Sequence, residues 1–345
     1  MSTLRDSGIG SVRSMATIHR SRSDSSPESG LSGRNEPGLH HIQRSRYNPS
    51  FYETISRILR IREQYKQEGM VFVKAQQMIP ILLGLGASHE DVAKLGSVSD
   101  DLKSDPTLPF RKTQNSRFCL DFDTSSIRRL ERQLFTLYED EDFKRHDSGK
   151  ARLFDEVQNN LQLNTAFQAL LVFKGMIING MEIALRRNLN YNLNQWVCTL
   201  FNIRTCTTPN LLGEPALEGV HSDGVDHTMT TFLGASNMTG NSGTTYIHSM
   251  DEVTGIQLHE TSPHKILACA RHSELLDTML IVDHERKHSL SAVYAEDKNL
   301  EATRDILVFF TRRPYQDTHP AASMDSLTPH ATLPMEVPLI DLGRI

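Results

Sequence analysis

The texture of this 345-residue chain changes at Gln195. Beyond it, short runs rich in Val, Ile, Thr and Phe are separated by Gly, Asn, Asp, Ser and His. They fall at 196–205, 227–233, 244–248, 254–259, 277–282 and 304–312. β-Branched and aromatic side chains suit a pleated, half-buried surface, so each run reads as a strand. Many short strands with turns between them leave few architectures: a sandwich, a barrel or a jelly roll. Asn241-Ser242-Gly243 reads as one of the turns.

The stretch before Gln195 is helical in pattern. Phe51, Ile55, Ile58, Leu59 and Ile61 recur at helix spacing over 51–69, and Met70-Val71-Phe72-Val73 reads as a short strand. Helical pieces are expected over 77–85 and 89–95, and longer helices over 126–138 and 160–186. The stripe Phe167, Leu170, Leu171, Phe173, Met176, Ile177 and Met181 is read as core packing. The expectation is therefore one mixed α/β domain with a mainly β core. It covers 49–313, with a helical part at 49–194 and the strands at 195–313.

Two tails flank it. Residues 1–48 are rich in Ser, Arg and Gly and hold too little apolar surface to offset chain entropy, so they are expected to be disordered. A mitochondrial transit peptide fits the Arg and Ser of the first residues, but Asp24, Glu28 and Glu36 follow. Residues 314–345, with Pro314, Pro320, Pro329, Pro334 and Pro338, read as a second tail or a wrapping arm.

Composition narrows the partners. Net charge is −5, and the folded part has no basic, aromatic-studded stretch of the kind that binds nucleic acid. No apolar run is long enough to span a membrane. Cys119, Cys198, Cys206 and Cys269 show no zinc-ligand spacing and read as reduced cysteines of a cytoplasmic protein. A small molecule is the expected partner. The oligomeric state is not legible.

Within the strand-rich part stands His221-Ser222-Asp223, with His288 65 residues after Asp223 and Arg304 16 residues after that. In extended chain, residues i and i+2 point to the same side, so His221 and Asp223 can reach one ion. Gly224 then lets the chain turn away. Fe(II) that activates O2 needs two imidazoles and a carboxylate on one face, which leaves positions open. Arg304 opens an apolar run, where a guanidinium can grip a carboxylate through two parallel hydrogen bonds. The plainer reading of Arg304 is a salt bridge to Asp305 or to a neighbouring strand.

A rival motif overlaps. His284-Glu285-Arg286-Lys287-His288 spells H-E-x-x-H, which makes a zinc protease site only on a helix. Met279-Leu280-Ile281-Val282 before it reads as strand, Ser289-Leu290-Ser291 continues a helix poorly, and Arg286 and Lys287 are highly charged for a buried helix. A non-catalytic barrel that binds a ligand, with the tails as docking segments, is a second alternative. The intact His-Asp-His-Arg set speaks against it.

Several patches together resemble a known family. They are Glu218-Gly219-Val220-His221-Ser222-Asp223-Gly224, the turn at 237–243, Arg286-Lys287-His288-Ser289-Leu290 and Arg304-Asp305-Ile306-Leu307. Upstream, Asn115-Ser116-Arg117-Phe118, Gly149-Lys150-Ala151-Arg152-Leu153-Phe154 and Phe201-Asn202-Ile203-Arg204 also match. Over about residues 70–313 the chain is similar to the 2-oxoglutarate/Fe(II) dioxygenases that include L-isoleucine 4-hydroxylase. The resemblance implies a double-stranded β-helix (jelly roll) with flanking helices. It implies His221, Asp223 and His288 as iron ligands, Arg304 as the clamp for 2-oxoglutarate, and O2 as the second cosubstrate. It also favours His288 over His284. One departure is the polar Thr239-Gly240-Asn241-Ser242-Gly243 where relatives tend to have Gly-Gly, which puts the local turn in question.

Substrates in this branch are free aliphatic L-amino acids, which are hydroxylated. A fungal relative in quinazoline-alkaloid biosynthesis instead closes L-valine to an aziridine, and the Ser-rich tail is in keeping with a filamentous fungus. A zwitterionic substrate needs a cation for its carboxylate. Arg117 and Arg152 are the candidates, with a fold-stabilising role as the plainer reading of each. Phe309 or Phe310 is expected to line the apolar side-chain pocket, since alternate strand residues face the interior.

Overall fold

The computed structural model describes residues 49–138 and 147–340; the 1–48 segment lies outside them. The elements in chain order are α1 (Pro49–Glu68), β1 (Met70–Val73), α2 (Ala75–Gly84), α3 (His89–Lys94), β2 (Arg111–Asp121), β3 (Ser126–Leu130) and β4 (Asp155–Glu156). Next come α4 (Thr165–Ile178), β5 (Gln195–Thr207), β6 (His227–Ser236), β7 (Thr244–His248) and β8 (Ile266–Arg271). Last are β9 (Thr278–Val282), β10 (Lys287–Leu290), β11 (Ala302–Arg312) and β12 (Glu336–Pro338).

The helices cover one face of a large sheet. α1 buries Phe51, Ile55, Ile58 and Tyr65 along one stripe. α4 is apolar on all sides and buried from Ala166 to Ile178, as a helix enclosed by other elements must be. It starts where the Asn164 side chain accepts hydrogen bonds from Ala166 N at 2.9 Å and Phe167 N at 3.0 Å. α4 packs on α1, α2 and the sheet, with Phe167 stacked on Phe309 at 6.1 Å and tilted against Phe118 at 5.6 Å.

The nine-stranded sheet has the order β1-β9-β6-β11-β5-β2-β3-β12, with β4 alongside β2. Its pairs are antiparallel except β2 with β4. A second sheet, β10-β7-β8, packs over the β1–β9 end, where Ile247, Ala268 and Ala270 meet Met279, Ile281, Met70 and Phe72. Two facing antiparallel sheets with helices outside form the expected jelly roll. None of the described helices is long and apolar enough to cross a membrane.

Three expectations need correction. Residues 126–138 are not a helix: 126–130 form β3, which pairs with β2 from Arg117↔Leu130 to Asp121↔Ser126. The turn between them is held by Asp121, which accepts from Asp123 N and Thr124 N. Long-range pairing overrides the helix-like spacing of Ile127, Leu130 and Leu134. The helix expected over 160–186 is shorter, a turn at 159–162 followed by α4, which ends at Ile178. The strand expected at 254–259 is a loop that ends in a single 3-10 turn, Leu258–Glu260. Its backbone instead bonds residue 220, through Gly255 N to Val220 O and Val220 N to Ile256 O.

The segment after β11 packs as an arm. β12 adds an edge strand beside β3, and Val337, Leu339 and Ile340 are buried. Leu339 lies so close to Gly175 of α4 that a Cβ there would fall 2.5 Å from its Cδ1. Phe167 touches both the sheet and the helix layer, so Phe167→Ala is expected to destabilise the protein by about 3–5 kcal/mol in urea unfolding. A loss below about 1 kcal/mol would contradict this packing.

Candidate active site

His221 and His288 exchange both backbone hydrogen bonds: His221 N donates to His288 O at 2.9 Å, and His288 N to His221 O at 2.8 Å. This is the hydrogen-bonded pair of an antiparallel ladder, which adds the chain at residue 221 beside β10. The two imidazoles lie with ring centroids 4.4 Å apart. Asp223 is two residues on and turns to the same side. Its Oδ1 is 3.5 Å from His221 Nε2 and its Oδ2 is 3.6 Å from His288 Nε2. The donor atoms of His221, Asp223 and His288 all lie within 4.8 Å of one another, and no second such group occurs among the described residues.

Neighbouring groups hold this arrangement. Gly224 follows Asp223 at φ +79°, where a side chain would be strained, and turns the chain away. The buried Asp283 carboxylate pins that turn by accepting from Asp223 N at 2.8 Å and Val225 N at 3.2 Å. Thr228 Oγ1 donates to Asp223 Oδ2 at 2.7 Å. His221 Nδ1 lies 2.8 Å from Gly219 O. A proton on Nδ1 serves that contact and leaves Nε2 as the lone-pair donor to a metal.

The charges fit a cation. Burial works against a charged His221, but the Asp223 carboxylate outweighs it and holds the ring up to about 9. Burial pushes His288 down to about 4, against the pull of Asp223. Asp223 stays below the usual carboxylate range: burial opposes this, and the two imidazoles and Thr228 favour the anion. Asp283 is raised by its burial and by the Asp223 charge. Two imidazoles and a carboxylate on one side thus form a donor set for a divalent ion. An ion held there would take the place of a proton on His221.

The cavity beside these residues runs between the two sheets. β11 lines it with alternate residues: Arg304, Ile306, Val308, Phe310 and Arg312. Arg304 is buried, and its Nε and Nη2 have no hydrogen-bond partner among the described residues. Burial pulls its guanidinium down to about 10, and Asp305 offsets this only in part. Asp305 is engaged elsewhere, accepting two hydrogen bonds from Arg204, each at 2.7 Å. That excludes Asp305 as the partner of Arg304. An uncompensated buried cation is expensive, so this position calls for an anionic ligand. Gly243, at φ +60°, makes room for it: a Cβ there would lie 2.7 Å from Arg304 Nε. The departing turn at 239–243 therefore still leaves space beside Arg304.

Other expected residues separate. Arg117 and Arg152 both line the cavity. Arg117 is paired with Asp325 at 2.8 Å, and Arg152 with Asp147 at 3.1 Å beneath the rings of Phe135 and Phe154. Phe310 lines the cavity, but Phe309 does not. The strand's period of two sends Phe309 into the helix-facing core against Phe167, which corrects the expectation for it. His284 also stands apart from His288. Asp283–Glu285 is one 3-10 turn and Lys287–Leu290 is strand, so no helix presents the two rings on one face and the protease motif is not formed. His284 Nδ1 lies 4.0 Å from Asp226 instead. Sequence reading missed Arg312 and Asp325. The even-numbered alternation from Arg304 would have pointed to Arg312, whereas no local signal marks Asp325.

Comparison with known proteins agrees with this geometry. The family model for 2OG-Fe dioxygenases matches residues 96–310. The chain is 46% identical over 293 residues to the bifunctional enzyme flvA of Aspergillus flavus, which covers 85% of this chain and 36% of the relative. The chain thus spans about a third of that relative's length. Among solved structures, the Fe(II)/α-ketoglutarate-dependent dioxygenase TqaL is 50% identical with a TM-score of 0.74, covering 85% of this chain and 98% of its own. A bsmA homolog from Methylobium petroleophilum PM1 shares the fold, with a TM-score of 0.61 at 17% identity over 76% of this chain and 96% of its own.

Two outcomes follow from the placement of neighbouring residues. His288→Ala is expected to lower Fe(II) affinity at least ~10-fold by calorimetry, while His284→Ala leaves it unchanged; equal losses would overturn the assignment. Phe309→Ala is expected to cost about 3–5 kcal/mol of stability, whereas Phe310→Ala acts mainly on turnover, as unfolding and steady-state kinetics would distinguish.

Proposed function

The chain belongs to the 2OG-Fe dioxygenase family, and from that premise we propose that it oxidises a free aliphatic L-amino acid at an unactivated C–H bond. It is an oxidoreductase that uses Fe(II), with 2-oxoglutarate and O2 as cosubstrates. In this reading His221, Asp223 and His288 hold the iron, and Arg304 receives the far carboxylate of 2-oxoglutarate. Iron held there would activate O2, the oxidant, and the chain supplies position and a cavity screened from water.

One observation carries the substrate class. β11 shows the cavity a cation at each end, Arg304 and Arg312, with Ile306, Val308 and Phe310 between them. A short aliphatic side chain suits the apolar stretch, which Phe201, Phe135 and Phe154 extend. A substrate carboxylate suits the arginines away from Arg304. Arg117 and Arg152 are the residues proposed for it. Both hydroxylation and oxidative ring closure to an aziridine are compatible with this arrangement. The likeness to an Aspergillus flavus protein is in keeping with a fungal source, and the role proposed with it is in secondary metabolism. Four cysteines without disulfides suit a reducing cytoplasm. The functional unit is proposed to be 49–313, with the arm after it.

The test is turnover of the standard amino acids with Fe(II), 2-oxoglutarate and O2, read by succinate release and product mass. An aliphatic amino acid should stimulate succinate release and gain one oxygen atom or lose two hydrogens. Stimulation by none of them would overturn the substrate class. Arg304→Gln should raise KM for 2-oxoglutarate roughly 10- to 100-fold, the worth of a charged hydrogen bond or two. An unchanged KM would remove Arg304 from the clamp role.

A further inference from the structure

A buried imidazole stands behind the cavity wall near Arg304. His272 follows β8 directly and is 1% exposed. Its ring packs edge-on against Phe72 at 5.1 Å and is tilted against Phe232 at 6.5 Å. The chain beyond it is pinned by Asp277, which accepts from Ser273 N at 2.9 Å and from Ala75 N at 2.9 Å. His272 Nε2 lies 3.2 Å from Thr230 Oγ1, and Thr230 lines the cavity. His272 Nδ1 is buried with no hydrogen-bond partner among the described residues.

The protonation of this pair follows from its surroundings. Burial, and next the Arg304 charge, push His272 down to about 3, against the pull of Asp277 and the Thr230 backbone. The ring is therefore neutral near pH 7 and carries one N–H. On Nδ1 that proton would be a buried donor without an acceptor, which is costly. On Nε2 it is given to Thr230 Oγ1. The hydroxyl then accepts from His272 and keeps its own O–H to donate on the cavity side.

The position suits the anion that Arg304 calls for. Thr228 and Thr230 both line the cavity from β6, two residues apart, and Thr228 holds Asp223. Opposite them on β11 stand Phe310 and Val308, so the step from Thr228 to Thr230 runs in the direction of Arg304. The Arg304 charge felt at His272 agrees with this. A five-carbon diacid that reaches from the metal donors to Arg304 passes Thr230 on the way.

We propose that the Thr230 hydroxyl, aimed by His272, is a second donor to the far carboxylate of 2-oxoglutarate beside Arg304. This rests on the reading of Arg304 as the clamp. Thr230 touches the cosubstrate, and His272 is a positioning residue that acts through Thr230. The guanidinium supplies charge, and the hydroxyl fixes where along the cavity the carboxylate stops.

The experiment compares binding of 2-oxoglutarate with that of 2-oxopentanoate, which keeps the keto-acid end and the chain length but has no far carboxylate. Affinity for each is read anaerobically, without turnover, from the visible absorption of the Fe(II) chelate in the full-length protein. The wild type should prefer 2-oxoglutarate. Thr230→Val should cut that preference roughly 10-fold, the worth of one charged hydrogen bond, and leave the affinity for 2-oxopentanoate unchanged. His272→Leu should cut it several-fold, and His272→Gln, whose amide N–H can replace Nε2–H, should retain most of it. Thr230→Val with His272→Leu should be no worse than Thr230→Val alone. If Thr230→Val keeps the wild-type preference while Arg304→Gln loses it, the second donor is wrong and the clamp stands. If Arg304→Gln keeps it too, the clamp reading falls and the inference falls with it. Equal loss of both keto acids in His272→Leu would make His272 a structural residue and overturn its positioning role.

Discussion

The site depends on one backbone pairing. The two hydrogen bonds between His221 and His288 bring together residues from distant parts of the chain and fix their rings 4.4 Å apart. Asp223 comes along because it is two residues further on the same extended chain. The groups around it serve the same arrangement. Asp283 anchors the amides of Asp223 and Val225, Thr228 orients the carboxylate, and Gly219 O orients the His221 ring. The nearby end of the large sheet supplies several of these supports, with Thr228 on β6 and Asp283 directly after β9. The donor set is thus held by backbone geometry more than by side-chain packing.

The second constraint is electrostatic. Among the described residues the cavity is bordered by more arginines than carboxylates, and Arg304 is buried without an ion-pair partner. Burying such charges lowers stability unless a ligand compensates them. On the proposed function, anionic ligands would supply that compensation at Arg304. Arg204 shows the contrast: it sits on the same sheet, but Asp305 and Asp100 satisfy it on the side away from the cavity. The strand's period of two separates the two roles within a single element, β11. Arg304 faces the cavity and Asp305 faces away.

Much of this was legible in the sequence, and the limits have physical causes. Strand β7 and the run at 304–312 stood out as short runs rich in Thr, Ile, Val and Phe bounded by turn residues. His221, Asp223, His288 and Arg304 stood out because metal and carboxylate chemistry restricts residue type and order. β2 did not, since Thr113, Gln114, Asn115 and Ser116 are polar yet buried in the middle of the sheet. β3 looked helical because Ile127, Leu130 and Leu134 fit a helix and only pairing with β2 decides otherwise. Asp325 was invisible, because its role arises from a contact across more than 200 residues with Arg117. The choice between Phe309 and Phe310 needed the facing of Arg304 as a reference.

The central claim is that His221, Asp223 and His288 hold iron while Arg304 holds 2-oxoglutarate against it. The most direct measurement is anaerobic addition of Fe(II) and 2-oxoglutarate to the folded protein, followed by visible absorption. The weak band of the iron–2-oxoglutarate chelate is expected for the wild type. It should vanish in His288→Ala and should require more 2-oxoglutarate in Arg304→Gln. A folded wild-type protein that shows no band at saturating cosubstrate would contradict the account.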